Sequence, residues 1–145
     1  MSGGTADESG GVYTLLIGLD AAADAAVGAL GTIQFDAGWY AYTGSALGPG
    51  GFARVDRHRE LAAGKRGGRH WHVDYLLGHP DARVEAVVTS PGVDAECAVA
   101  RAIEGREVPG FGASDCGCSA HLAFALERTA LEASVRSAHA AVCDR

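Results

Sequence analysis

The sequence predicts a small α+β domain, with a largely antiparallel sheet flanked by helices. Three observations carry this prediction. An apolar run from Val12 to Leu19 reads as a buried strand, and Trp39 to Thr43 alternates with a period of two. A glycine-rich loop, Ala46 to Gly51, then breaks the second strand. Past it, Arg54, Arg57 and His58 stand at i, i+3 and i+4, the spacing that gathers side chains on one face of a helix.

The elements follow in order. Residues 1–10 are polar and glycine-rich and are expected to form a disordered tail, without the basic-then-apolar order of a signal peptide. A single domain is expected over residues 11–141, with 142–145 as a short C-terminal tail. Thr32 to Phe35 and Trp39 to Thr43 read as a hairpin turning at Asp36-Ala37-Gly38. Period-two alternation puts Tyr40 and Tyr42 on one face and Trp39 and Ala41 on the other. A helix is expected from about Phe52 to Ala63, ending at Gly64. Val84 to Thr89 reads as a further strand, and helices are expected from about Asp94 to Glu104 and from about Glu127 to Ala141.

A chain of 145 residues is long enough for one domain with a core and short for two. Its hydrophobic content of 48% suits a soluble globular protein, and no stretch approaches the roughly 18 uninterrupted apolar residues of a membrane-crossing helix. No membrane partner is expected, and the expected location is the cytoplasm. The net charge of −6 argues against nucleic acid as a partner, because affinity for a polyanion is mostly supplied by cations. The distribution reverses that argument. Arg54, Arg57, Arg59, Lys65, Arg66 and Arg69 face only Asp56 and Glu60 between residues 54 and 72, a local balance of +4 that leaves −10 on the rest.

The chemistry-bearing residues cluster around the same segment. Tyr40-Ala41-Tyr42-Thr43-Gly44-Ser45 leads a tyrosine-bearing strand into the glycine turn, and Gly11-Val12-Tyr13 opens the first strand with another tyrosine. A phenol or imidazole can move a proton, and a guanidinium can hold two phosphate oxygens in a planar fork. Packing offers an alternative for the tyrosines, which favour strands. His70, His72 and Asp74 surround Trp71, where they can contact phosphate or serve as polar neighbours of a packed ring. Cys116-Gly117-Cys118 and His121, with Cys97 as a fourth, form a candidate zinc set, although paired zinc cysteines usually have two residues between them. Small buried thiols in a tight loop are the alternative. Without a secretory signal, a disulfide framework is not expected.

Gly11-Val12-Tyr13, Tyr42-Thr43-Gly44 and Arg54-Val55-Asp56-Arg57-His58 together resemble the GIY-YIG nuclease superfamily. Arg69-His70-Trp71-His72-Val73-Asp74-Tyr75-Leu76-Leu77 and the segment from Phe111 to Leu122 resemble a poorly characterised, mainly archaeal branch of it, some of whose members are joined to an endonuclease III-type DNA glycosylase. The resemblance spans roughly residues 11 to 125. It implies a three-stranded, largely antiparallel sheet flanked by helices and a metal-dependent endonuclease acting on DNA, with a repair glycosylase as a class of partner. A non-catalytic nucleic-acid-binding or partner-binding module on the same fold is the alternative. Tyr13 is implied as the group assisting the attacking water, Tyr42 as a wall of the same pocket, Arg54 as the stabiliser of phosphoryl charge, and His58 as its neighbour. Tyr40, facing the same way as Tyr42, is a lesser candidate. One glutamate is implied as ligand to Mg²⁺ or Mn²⁺, with Glu96 preferred over Glu85 and Glu104. Gly44, Ser45, Arg57, Lys65, Arg66, Arg69, His70 and His72 are the implied DNA contacts. Two departures stand out: a long insertion around residues 20–31 separates the tripeptides, and the chain contains no asparagine where the superfamily commonly ends its site with one.

Overall fold

The computed structural model describes residues 11–26, 31–45, 53, 55–57, 76–77, 79, 81–92, 96–108 and 121–143. Strands β1 (Gly11–Leu19), β2 (Ala23–Ala26), β3 (Thr32–Phe35), β4 (Gly38–Ser45) and β5 (Ala82–Pro91) come first. Helix α1 (Glu96–Ala102), strands β6 (Arg106–Glu107) and β7 (Leu122–Ala125), and helix α2 (Arg128–Cys143) complete the described elements. Ala53 and residues 55–57 are also helical.

The class is α+β, as expected, but the main sheet is larger than three strands. Its order is β5-β1-β4-β7-β6, with every pairing antiparallel: four strands of at least four residues plus the two-residue β6. β1 lies between β4 and β5, and all nine of its residues are buried. Both its faces are covered, which is why it reads as a continuous apolar run rather than an alternation.

The expected hairpin of Thr32–Phe35 with Trp39–Thr43 does not form. β3 instead pairs with β2 in a separate two-stranded sheet, in which Ala23 faces Phe35 and Ala26 faces Thr32. β3 exposes Thr32 and Gln34, whereas β4 finds its partner in β1, over eight residue pairs that bury both strands. Gly38, with φ 148°, lets the chain leave β3 for the other sheet: a Cβ there would stand 2.7 Å from the Phe124 ring. The insertion between the tripeptides is thus the β2–β3 ribbon, packed on the core through Ala23, Ile33 and Phe35.

Two apolar layers cover the sheet. On one face Tyr13, Leu15, Ile17, Leu19, Tyr40, Tyr42, Leu122 and Phe124 pack with Val55, Leu76 and Leu77. On the other, Val12, Leu16, Ala41 and Ala123 pack with Val99 and Ile103 from the α1 region and with α2. The α2 stripe is Leu131, Val135, Ala138 and Val142, spaced i, i+4, i+7 and i+11 as one helical face requires. Val142 is buried, so α2 packs into the residues expected to form the C-terminal tail. Full burial of each large aliphatic side chain contributes about 1.5–3 kcal/mol, so the two layers carry most of the stabilisation.

Candidate active site

Antiparallel pairing of β1 with β4 brings the two tripeptides together. Val12 faces Ser45, Tyr13 faces Gly44, Thr14 faces Thr43 and Leu15 faces Tyr42. The Tyr13 ring folds across its partner so closely that a Cβ on Gly44 would lie 2.6 Å from the Tyr13 hydroxyl oxygen and 2.7 Å from Cζ. Only glycine leaves room for the phenol there. The Tyr13 and Tyr42 rings are tilted by 54° with centroids 6.5 Å apart. Both are buried, at 1% and 5% exposure, so they serve as core while presenting two hydroxyl-bearing rings at one end of the sheet.

That end collects the other candidate segments. Gly11 pairs with Pro91 and Val12 with both Ser45 and Ser90, so β1 starts where β4 and β5 stop. From β4 the chain runs on to Val55, which packs in the same layer as Tyr13 and Tyr42, and to Arg57, which is half-buried. From β5 it runs on to Glu96, the first residue of α1. α1 itself rests on the opposite face through Val99. The side chains of Ser45, Glu96 and Cys97 lie outside the described set, as do residues Arg54, His58, Lys65, Arg66, Arg69, His70, His72, Cys116 and Cys118.

Three other candidates are placed elsewhere. Tyr40 donates its hydroxyl to the Asp36 carbonyl oxygen at 2.6 Å and packs between Phe35 and Phe124. Burial, followed by the charge of Asp36, pushes its pKa up to about 12, which removes it as a base. Glu85 is the extra residue where the β1–β5 register shifts between Leu16 and Ile17, a bulge that turns it into an ion-pair network with Arg83 and Arg128. Those two guanidinium groups also lie 5.5 and 5.3 Å from the centre of the Trp39 ring. Glu104 is exposed, and its backbone N–H donates to Ser134 Oγ just past the C-terminal end of α1, far from Glu96 along the helix.

His121 is buried, and its carbonyl oxygen accepts the Thr43 N–H at 3.0 Å. His121 is therefore tied to the second tripeptide. Among the described residues no group of three His, Cys, Asp or Glu side chains is placed to hold a metal.

Sequence reasoning missed a polar cluster behind the tyrosines. Thr14 Oγ1 lies 2.9 Å from Thr43 Oγ1 and 2.8 Å from His139 Nε2, while His139 Nδ1 lies 2.8 Å from Ser90 Oγ. The three hydroxyl residues are 0% exposed and His139 3%. Desolvation lowers the His139 pKa to about 4, so the ring is neutral, with one nitrogen donating and the other accepting. The available signal was positional: residue 139 falls beside Ala138 on the apolar stripe of α2, where an unpartnered polar side chain is costly.

Together the antiparallel sheet, the two-sided core and the paired tyrosine-glycine tripeptides define a compact α+β domain with one candidate site at a sheet end. The chain belongs to the family described as a domain of unknown function, DUF123, which matches residues 12–143. It has no significant match among curated proteins or solved structures. No helix among the described residues is long and apolar enough to cross a membrane.

Proposed function

We propose that this protein is a GIY-YIG-type endonuclease that hydrolyses DNA phosphodiester bonds with a divalent cation, in a DNA-repair setting. The observation that carries the reading is the seating of the Tyr13 phenol on Gly44. It makes the two tripeptides one structural unit, the phenol of the first packed on the glycine of the second. Tyr13 assists removal of a proton from the attacking water, and Tyr42 walls the pocket beside it. Arg54 holds the scissile phosphate and steadies the charge that builds on its oxygens, with Arg57 and His58 as neighbours on the helix. Glu96 fits the requirement for a hard carboxylate, since it opens α1 at the sheet end whereas Glu85 is neutralised by arginines. A bound Mg²⁺ or Mn²⁺ would supply charge neutralisation at the leaving oxygen.

The 1% exposure of Tyr13 favours a second reading, a nucleic-acid-binding or repair-partner-binding module that keeps the fold without the chemistry. A nicking assay on supercoiled and branched DNA with Mg²⁺ or Mn²⁺, at low and at multimolar salt, separates the two. The nuclease reading expects metal-dependent nicking, and a loss of about 10² to 10³ in rate in both Arg54→Ala and Tyr13→Phe. Binding without nicking in every condition leaves the module.

A further inference from the structure

We infer that His139 is a positioning residue for the Tyr13 site, acting from the opposite face of the sheet through Thr14, Thr43 and Ser90. Each of its two ring nitrogens holds a different strand. Nε2 meets Thr14 on β1, whose hydroxyl continues to Thr43 on β4, and Nδ1 meets Ser90 on β5. One neutral imidazole therefore links the three strands that carry the sheet-end site. A single tautomer serves the chain in one direction, each hydroxyl donating to the next acceptor.

The placement of these bonds matters more than their number. The Thr14–Thr43 pair is the ladder position next to Tyr13–Gly44, and Ser90 neighbours Thr89, which faces Tyr13 from the other side. Thr43 is also the central residue of the Tyr42-Thr43-Gly44 tripeptide. A lateral slip of β1 against β4 would move the Tyr13 hydroxyl off Gly44, and the hydroxyl bridge resists that slip one residue away. A buried network with every member satisfied fixes a unique arrangement, where an apolar layer of the same size would tolerate small shifts.

No member of the network is open to solvent, so the Ser90–His139 pair is not a nucleophile and its base. Its effect reaches the site only through the backbone. The inference rests on the nuclease reading for its kinetic arm alone, and its spectroscopic arm stands without it.

The test uses the full chain with its four tyrosines carbon-13-labelled at Cζ and assigned by Tyr→Phe variants. His139→Gln keeps an amide near the place of Nε2 and hence the tie to Thr14, whereas His139→Asn reaches only toward Ser90. His139→Asn is expected to move the Tyr13 resonance and leave that of Tyr40, held by the Asp36 carbonyl, in place; His139→Gln restores the wild-type Tyr13 position. Should His139→Asn fail to fold, Thr14→Val, which keeps the branched shape and removes both hydroxyl bonds, is expected to give the same displacement. In the cleavage assay His139→Asn lowers kcat about tenfold or more with KM for DNA unchanged, and adds nothing to the loss in Tyr13→Phe. A folded variant whose Tyr13 resonance stays at the wild-type position overturns the inference, whatever its melting temperature. If the wild-type protein cleaves no DNA, the nuclease reading falls while the resonances still decide the role of His139.

Discussion

The Tyr13 hydroxyl lies against Gly44, its direct partner across β1 and β4, with no space for a Cβ between them. The two residues come from different tripeptides 31 positions apart, and antiparallel register alone makes them neighbours. Substitution at either one should therefore be felt at the other.

Gly44→Ala is expected to destabilise the protein by about 1–3 kcal/mol, the usual cost of forcing an extra carbon into a packed site. The clash is with the Tyr13 ring, so Tyr13→Ala should relieve it. Urea unfolding of the four-member cycle measures the coupling: Gly44→Ala should cost little in the Tyr13→Ala background. Strictly additive costs would mean that the clash lies with the backbone and that the two residues are not coupled.

How much of this geometry was legible depended on whether an element could be read locally. β1 and β4 carried their own signals, a buried run and an alternation, and the alternation correctly separated Tyr40 and Tyr42 from Trp39 and Ala41. β7 did not, because Leu122–Ala125 is short, half alanine and buried on both faces, which erases the period. The pairing of β3 was invisible for a different reason: its register with β2 is a long-range choice, whereas turn residues at Asp36-Ala37-Gly38 suggested the nearer partner. The resemblance implied that Tyr13 and Tyr42 share a pocket, but neither the seating of Tyr13 on Gly44 nor the network behind it was implied. His139 reads as an ordinary polar residue until the packing of α2 buries it among hydroxyls from three strands.

The buried imidazole predicts an acid-sensitive stability. In the unfolded chain His139 titrates near its ordinary value of 6.5, and in the folded protein near 4, so between these values the unfolded state binds more protons. Its contribution is complete above pH about 6.5 and declines as pH falls toward 4, by about 3 kcal/mol in total. Glu132, held below its ordinary value first by Arg136, adds loss of the same sign, but only in the carboxylate range. Denaturant melts across pH 4 to 7 should show the decline in wild type and a flatter profile in His139→Gln. Equal profiles would show that the ring does not titrate as its burial requires.

His121 gives the zinc question a structural readout. Its carbonyl holds the Thr43 N–H, so a metal on Cys97, Cys116, Cys118 and His121 would brace the edge where β7 meets β4. Protein purified without chelator is expected to contain about one zinc per chain and to melt at a lower temperature once the metal is removed. Absent zinc together with unchanged melting after chelation would assign the cysteines to packing.

The basic segment sets the last expectation, for DNA affinity. An acidic chain can bind a polyanion only where its cations are concentrated, and residues 54–72 hold a local +4. If about three or four phosphates are neutralised there, log affinity for duplex DNA should fall with log salt at a slope near −3 to −4. Lys65 and Arg66, adjacent in sequence and next to Gly64, are expected to contact the phosphate backbone without reaching the scissile bond. Replacing both should flatten the slope by about two units and leave the rate of the bound enzyme intact. Under the nuclease reading Arg54→Ala should do the reverse, losing rate more than affinity, because the proposed contact would strengthen as charge develops on the phosphate. Salt titrations paired with single-turnover cleavage measure both quantities on the same variants. An unchanged slope in the Lys65/Arg66 double variant would move the DNA track away from this segment and leave it as solvated surface.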